Sequence, residues 1–282
     1  AIKPLCPSLY IAGPDMNTGE AEMKIFAEAN GKWNSATGKP ANVCMQLFGK
    51  PGEKCGIPHE FGSTGFGVYH ATKIAAEFLK LKLKEATFAI EGFGNVGTFV
   101  AQYLSKEARF VAVSDSKGVI YDAEGLDYEK LMKVKNKKGS VTAYGKGKVL
   151  QGKGIISLPV DILITAAVPD LIKKEDASKI KSKLIVEGSN IPMTAEVEET
   201  LHKRGILVVP DFVANAGGVI SSYAEYKGYN PKRMFETVEQ KIKQNVKRVL
   251  KEAAAKRAKP RDAAMELAIK RVREAMAKRK KF

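Results

Sequence analysis

Three glycines near the middle of the chain have the spacing of a loop that binds phosphate groups. Gly92, Gly94 and Gly97 form a Gly-x-Gly-x-x-Gly pattern between an apolar, β-branched run and a helical pattern. In that context the first glycine permits a tight turn, the second lets the backbone approach a pyrophosphate, and the third allows close packing of helix on strand. The pattern predicts a dinucleotide at the N-terminus of the following helix. The predicted cofactor contacts of this loop are Gly92, Phe93, Gly94, Asn95, Val96 and Gly97.

A carboxylate, Asp115, ends the next apolar run, about 20 residues after the loop, where an acidic residue binds the ribose hydroxyls of NAD. Residues 114–118 also form a good turn sequence, so a turn role for Asp115 is the alternative. An acid at this place favours NAD because it repels the 2′-phosphate of NADP, whereas Ser116 and Lys117 are suited to holding that phosphate. The predicted cofactor is therefore NAD or NADP, and the choice stays open.

These motifs need strands and helices that alternate along the chain. Short apolar runs rich in β-branched residues predict five strands, and helical patterns lie between them. Such an alternation predicts an α/β fold with a doubly wound, mostly parallel sheet of the Rossmann type. The predicted strands are Ala86 to Ile90, Phe110 to Val113, Ile162 to Ala166, Leu184 to Val186 and Ile206 to Val209. The predicted helices are Val96 to Leu104, a long middle segment, Pro169 to Ile180 and Thr194 to Arg204.

The flanking regions have a different character. Thr18 is predicted to cap a helix that ends at Glu28, and a Gly- and Pro-rich connector follows from Asn30 to Gly62. A helix is predicted from Val68 to Leu83, and two long charged helices after residue 226 are separated at Pro260. We therefore expect three parts: a remnant of a substrate domain and connector (1–60), a dinucleotide-binding domain (61–225) and C-terminal helices (226–282).

The composition restricts the class of protein. The net charge is +16, but the lysines are scattered among glutamates and no segment interleaves aromatic residues with arginines, so we interpret the charge as solvated helix faces and expect no nucleic-acid partner. No apolar run is long enough to span a membrane, and the first residues do not show a charged region followed by an apolar one, so the prediction is a cytoplasmic protein without a membrane partner. The three cysteines, Cys6, Cys44 and Cys55, are predicted to be free thiols, and no metal site is expected.

Six segments resemble, in order, the motifs of the Glu/Leu/Phe/Val dehydrogenases. The likeness spans the whole chain, and the segment from Pro210 to Val219 matches the most distinctive motif of that family. The resemblance implies oxidative deamination of an amino acid by NAD or NADP. The segments are Ile11 to Thr18, Ser63 to Val68, Glu91 to Gly97, Glu187 to Asn190, Pro210 to Val219 and Arg261 to Ala264.

The resemblance assigns roles to particular residues. Asp15 matches the family's catalytic aspartate, which moves a proton to and from the substrate amino group and the attacking water; an N-cap role is its alternative. Thr64 and Asn215 match residues that hold the nicotinamide ribose and carboxamide, and Asn190 lies in a loop near the same ring. Ordinary turn or helix capping is the alternative for Thr64 and Asn215.

Two further assignments concern the ends of the site. Ala166 and Ala167, at the end of a predicted strand, are small enough to let the adenosine side of the cofactor pack closely. Ser222 lies seven residues after Asn215, where family members that act on glutamate carry a hydroxyl for the side-chain carboxylate and branched-chain enzymes tend to carry an apolar residue. The alternative for Ser222 is a hydrogen bond to its own helix backbone.

The chain departs from the family pattern in three respects: a loop is absent, the region from Asn42 to His59 is longer than the family's connector, and Phe66 stands where many members have Arg. The Gly-Gly-x-Lys-Gly-Gly loop, whose lysines bind the substrate α-carboxylate, does not occur in this sequence. Two hypotheses follow: an NAD(P)-dependent glutamate dehydrogenase that yields 2-oxoglutarate and ammonia and needs an N-terminal half, or a non-catalytic NAD(P)-binding subunit or truncated paralogue. A branched-chain amino-acid dehydrogenase is a further alternative. We expect either a homo-oligomer or a partner chain that supplies the missing part.

Overall fold

The computed structural model of the chain describes residues 2–15, 17–41 and 56–279. Cys44 and Cys55 lie outside the described residues, as do residues 42–55 of the predicted connector. Cys6 is a buried free thiol.

One sheet of seven strands forms the centre of the molecule. Its strand order is β4-β3-β2-β1-β5-β6-β7; the five strands from β2 to β7 in this order are parallel, and β3 and β4 join the β2 edge antiparallel. The predicted doubly wound α/β fold is confirmed, and all five predicted strands belong to its parallel part. The strands are β1 Thr87–Glu91, β2 Arg109–Asp115, β3 Gly118–Tyr121, β4 Lys148–Leu150, β5 Ile162–Thr165, β6 Leu184–Glu187 and β7 Leu207–Val209.

Helices cover both faces of the sheet. Alternate residues of the strands enter different cores: Phe88 and Ile90 pack with helices on one face, whereas Ala89 belongs to the core of the other face. Two long helices, α8 and α9, close the chain. The helices are α1 Glu20–Asn30, α2 Ser63–Phe78, α3 Asn95–Leu104, α4 Tyr128–Lys138, α5 Ala195–Lys203, α6 Asp211–Ala214, α7 Gly217–Lys227, α8 Pro231–Lys256 and α9 Pro260–Arg279.

The prediction of a helix from Pro169 to Ile180 is wrong. Asp170 has a left-handed φ of +50°, and Ile172 forms a bridge with Met193, so only Lys174–Lys179 is helical, as a 3-10 helix. Leu171 and Ile172 are apolar because they enter the second core, which a periodicity argument cannot distinguish from a helix face.

Two predicted helix boundaries also shift. The N-cap of α1 is Gly19, not Thr18, and the Glu22 carboxylate accepts a hydrogen bond from the Gly19 amide. Helix α2 begins five residues before the predicted Val68 and ends at Phe78, because Gly62 and Lys80 bracket it with left-handed φ values. None of the described helices combines the length and the apolar character that a membrane crossing requires.

Candidate nucleotide-binding site

The carboxyl ends of the parallel strands bring most of the predicted site residues to one edge of the sheet. Gly92 follows β1, Asp115 ends β2 and Ala166 follows β5. The segment Gly188 to Asn190 follows β6, and α6 with Asn215 follows β7. This edge of a doubly wound sheet, at the point where the strand order reverses between β1 and β5, is where such folds bind dinucleotides.

The glycine loop is a tight turn held from two sides. Gly92 has a φ of +93°, and its amide donates to the Ser114 hydroxyl at 3.1 Å. A Cβ at Gly92 would lie 2.6 Å from the Ala167 Cβ, and a Cβ at Gly97 would lie 1.9 Å from the Gly92 carbonyl oxygen. Both glycines are therefore required by the packing of the protein itself.

Gly94 differs from its two neighbours in the motif. A Cβ built on Gly94 meets no atom of the described residues within 4 Å, so packing inside the chain does not require a glycine there. Gly94 is the N-cap of α3, and the first-turn amides of α3 have no acceptor within the helix. A bare backbone beside free amides fits the close approach of a diphosphate.

A lysine that the sequence analysis missed reaches this loop. Lys135 on α4 donates to the carbonyl oxygen of Phe93, and its ammonium lies 5.3 Å from the centre of the Phe93 ring. The Phe93 side chain is buried in the core, so only its backbone faces the turn. Burial lowers the pKa of Lys135, against the opposing effect of Asp115. No local pattern marks Lys135 among the lysines of α4.

The carboxylate of Asp115 is engaged by its own chain. Oδ1 accepts from the Lys117 amide at 2.9 Å and from the Ser140 hydroxyl at 3.1 Å, and Oδ2 accepts from the Val141 amide at 2.7 Å. The bond to Lys117 closes the turn that was the alternative for Asp115. Ser116, beside it, is exposed.

A buried carboxylate organises the loop after β5. The amides of Ala166 and Ala167 each donate to Oε2 of Glu91 at 3.1 Å. Burial raises the pKa of Glu91, although these backbone bonds act in the opposite direction. Glu91 therefore fixes the two alanines against the Gly92 turn, a role that the sequence analysis did not predict.

Asn190 and Asn215 form a direct pair. Asn215 Nδ2 donates to Asn190 Oδ1 at 2.7 Å, and the Asn215 amide donates to the Asp211 carbonyl at 2.8 Å, as the C-cap of α6. Thr64 lies in the first turn of α2, where Gly62 is the N-cap, so Thr64 does not cap that helix. A Cβ at Gly218 would lie 2.8 Å from Thr64 Oγ1, which places Thr64 against the start of α7.

One arginine from the first turn of α9 connects three carboxylates. Arg261 contacts Glu187 at 2.6 Å, Glu198 at 2.7 Å and Asp211 at 3.0 Å. Glu187 has no exposed side-chain surface, and its burial raises its pKa to about 8 although Arg261 acts in the opposite direction. The motif from Arg261 to Ala264 was noticed in the sequence, but these partners could not be foreseen from it.

Asp15 is exposed in a turn that Thr18 closes. The Thr18 hydroxyl accepts from the Asp15 amide at 2.7 Å and donates to the Asp15 carbonyl at 2.8 Å. Asp15 is not the N-cap of α1, because that place belongs to Gly19. The Glu20 amide donates to Glu60 at 3.4 Å, so this segment lies beside the residues that lead into α2.

A buried ion pair attaches the N-terminal segment to α7. Lys39, 2% exposed, donates to the Glu225 carboxylate, which also accepts from the Gly38 amide at 2.7 Å and the Ile57 amide at 2.8 Å. Ser222 lies one helical turn before Glu225, and within the described ranges its hydroxyl has no hydrogen-bond partner. The alternative of a bond from Ser222 to its own helix is therefore not observed. Neither Lys39 nor Glu225 was singled out by the sequence.

Comparison with known proteins gives consistent results. A glutamate dehydrogenase from Aeropyrum pernix is 42% identical over 277 residues, which are 94% of this chain and 65% of that protein. An NADP-specific glutamate dehydrogenase from Saccharolobus shibatae is 40% identical over 218 residues, 77% of this chain and 50% of that protein. The chain thus spans between half and two thirds of the length of these relatives.

Solved structures agree with the sequence matches. The hetero-hexameric glutamate dehydrogenase of Thermus thermophilus, in its leucine-bound form, superposes with a TM-score of 0.81 at 26% identity, over 95% of this chain and 64% of that chain. The model of the Glutamate/Leucine/Phenylalanine/Valine dehydrogenase family matches residues 55–280. The chain belongs to the Glutamate/Leucine/Phenylalanine/Valine dehydrogenase family.

Proposed function

We propose that this chain binds NAD or NADP and takes part in the oxidative deamination of L-glutamate to 2-oxoglutarate and ammonia. The observation that carries the proposal is the turn from Gly92 to Gly97, whose exposed backbone at Gly94 lies at the carboxyl edge of the sheet. The names of the two relatives, glutamate dehydrogenase and NADP-specific glutamate dehydrogenase, support the choice of substrate and cofactor.

Each site residue has a proposed role in the oxidation of glutamate. A bound NAD or NADP would supply the acceptor for the hydride of the substrate Cα. Thr64, Asn190 and Asn215 hold the nicotinamide half in place, and the amides of the glycine loop hold the diphosphate. Asp15 accepts a proton from the substrate amino group. It also transfers protons to and from the water molecule whose attack releases ammonia.

Ser222 is the proposed contact for the side-chain carboxylate of glutamate. Its hydroxyl has no partner among the described residues, so it can donate to a ligand without breaking a bond of its own. A hydroxyl in this place favours a carboxylate over an aliphatic side chain.

We propose that residues 61–225 form the cofactor domain, while 1–60 and 226–282 belong to the substrate side. The sequence contains no Gly-Gly-x-Lys-Gly-Gly loop, so we propose that the cations for the substrate α-carboxylate come from residues outside this sequence. Helix α9 carries an exposed apolar row that such residues can cover. The row is Met265, Ile269, Val272 and Met276.

The test has two stages. The first is titration of the chain with NADH and NADPH, followed by fluorescence; saturable binding of one of them is expected, and binding of neither would refute the proposal. The second is glutamate-dependent formation of NAD(P)H after addition of the N-terminal third of the Aeropyrum pernix relative. We expect activity that Asp15→Asn lowers by about 10² to 10⁴-fold without loss of cofactor binding.

A second candidate is a non-catalytic NAD(P)-binding subunit. This candidate predicts the same binding in the first stage but no turnover in the second. The hetero-hexameric state of the Thermus thermophilus enzyme is an example of a solved relative built from more than one kind of chain. Glutamate turnover that depends on Asp15 would reject this candidate.

A further inference from the structure

Beyond the glycine loop, the guanidinium of Arg261 connects several segments of the candidate site. Arg261 donates through Nη2 to Glu187 at 2.6 Å, through Nη1 to Asp211 at 3.0 Å and through Nε to Glu198 at 2.7 Å. The planar fork of an arginine can serve three carboxylates in this way, whereas an ammonium acts as a point charge. Helix α9 is thereby linked to the end of β6, to α5 and to the start of α6.

Two of these carboxylates continue into the loops that carry the asparagine pair. Asp211 Oδ2 accepts from the Ile191 amide at 2.9 Å, and Glu187 Oε2 accepts from the Asp211 amide at 2.8 Å. Ile191 has a φ of +48°, a conformation that is unfavourable for a β-branched residue. The Asp211 bond therefore holds the backbone immediately after Asn190 in a conformation that it would not keep by itself.

The position of the Asn190 and Asn215 pair indicates which half of the dinucleotide it meets. In a doubly wound sheet the dinucleotide lies across the carboxyl edge, with its diphosphate at the glycine loop after β1. The adenosine half extends towards β2, so the other half meets the loops after β6 and β7. Those loops contain Asn190 and Asn215, whose side chains lie 2.7 Å apart.

We propose that Arg261 is a positioning residue for the nicotinamide half of the dinucleotide: through Glu187 and Asp211 it sets the placement of Asn190 and Asn215. This inference rests on the proposed function and adds to it a residue of helix α9. Arg261 itself acts at a distance from the ligand, because its three donor directions are directed at carboxylates.

The test compares a whole dinucleotide with a fragment that lacks nicotinamide. Wild-type protein and Arg261→Gln are titrated with NADPH or NADH, whichever binds more tightly, and with the matching ADP-ribose or its 2′-phosphate form. We expect Arg261→Gln to weaken binding of the dinucleotide about 10-fold, the factor that corresponds to one hydrogen bond of about 1.4 kcal/mol. Affinity for the fragment should stay within about twofold of wild type, since its contacts lie on the other side of the loop.

Arg271→Gln is the matched control. Arg271 lies on the same helix, is exposed and donates to Asn245 Oδ1 at 3.1 Å, so both ligands should bind to this variant as to wild type. Should Arg261→Gln fail to fold, Arg261→Lys retains the positive charge and tests the same point. A lysine cannot serve three carboxylates at once, so the same selective loss is expected.

The outcomes are distinct. Equal loss of dinucleotide and fragment would mean a purely structural role and would overturn the inference, as would unchanged binding of both. Wild-type protein that binds neither ligand would refute the proposed function and this inference with it, and that result is recognised before any variant is measured.

Discussion

Gly94 and Gly97 belong to one loop, yet a methyl group has different consequences at the two positions. A Cβ at Gly94 meets no described atom within 4 Å, whereas a Cβ at Gly97 would lie 1.9 Å from the Gly92 carbonyl oxygen. We expect Gly94→Ala to change the free energy of unfolding by less than about 1 kcal/mol but to abolish NAD(P)H binding. We expect Gly97→Ala to lower the free energy of unfolding by about 3 kcal/mol. Urea unfolding and fluorescence titration measure the two effects, and normal cofactor affinity in Gly94→Ala would contradict the first.

Glu187 gives the fold a dependence on pH. Its pKa is 4.5 in an unfolded chain and about 8 in the fold, because burial outweighs the attraction of Arg261 and because Glu198 and Asp211 are also near. Between these two pH values the folded chain holds a proton that the unfolded chain lacks. The stabilisation is therefore complete below about pH 4.5 and is lost as the pH rises through about 8.

Substitution of Glu187 by glutamine should remove this contribution. Between about pH 6 and 9 we expect wild-type protein to lose roughly 2 kcal/mol more stability than Glu187→Gln, measured by urea unfolding. Glu196→Gln, at an exposed position of α5, serves as the control and should follow the wild-type curve. Identical pH slopes for wild type and Glu187→Gln would show that Glu187 does not titrate in this range.

At the scale of elements, Glu225 determines how the N-terminal segment is attached to α7. Its carboxylate accepts from two backbone amides and from the buried Lys39 ammonium. Removal of one partner of a buried ion pair costs about 3 kcal/mol, because the remaining charge stays out of water. The attachment is therefore stronger than the small apolar cluster of Ala12, Met23 and Ala36 suggests.

Hydrogen exchange can test this attachment. We expect Glu225→Gln to speed exchange of the Gly38 amide and its neighbours by lowering the free energy of local opening by about 3 kcal/mol, while the amides of β1 stay protected. Glu85→Gln, which disrupts an exposed pair with Lys82, should change local stability by less than about 1 kcal/mol. Wild-type exchange at Gly38 in Glu225→Gln would show that the ion pair does not hold the segment.

At the scale of the whole molecule, the net charge is +16, and residues 226–282 carry 19 of the 47 lysines and arginines but only 6 of the 31 aspartates and glutamates. Lysines pair with carboxylates one turn away on several helices, as Lys203 does with Glu199 and Lys243 with Glu239. Helix faces of this kind attract a polyanion only through nonspecific electrostatic forces. Salt screens these forces, because the Debye length is about 8 Å at physiological ionic strength.

We therefore expect weak binding to duplex DNA at low salt and none at about 0.15 M salt, measured by fluorescence anisotropy. NADPH should bind equally well with and without DNA, because the cofactor loop lies at the carboxyl edge of the sheet. A DNA complex that persists at about 0.15 M salt, or that competes with NADPH, would restore the nucleic-acid interpretation of the charge.

The amino-acid sequence by itself determined the features that depend on neighbouring residues. The turn from Gly92 to Gly97, the five parallel strands and the family were all predicted correctly, because turn chemistry and apolar runs act over a few residues. The same local reasoning failed from Pro169 to Ile180, where burial in the second core imitates a helix face.

Only the tertiary structure decided which polar groups meet. Arg261 donates to Glu187 from 74 positions away in the sequence, and Lys39 donates to Glu225 from 186 positions away. The Asp115 carboxylate accepts a hydrogen bond from the Val141 amide, 26 positions away. Residues so far apart in sequence come into contact only when the whole chain folds around its cores. The spacing of neighbouring residues therefore does not predict such contacts. Most of the candidate site residues at the carboxyl edge were therefore visible in the sequence, whereas their long-range bonding partners were not.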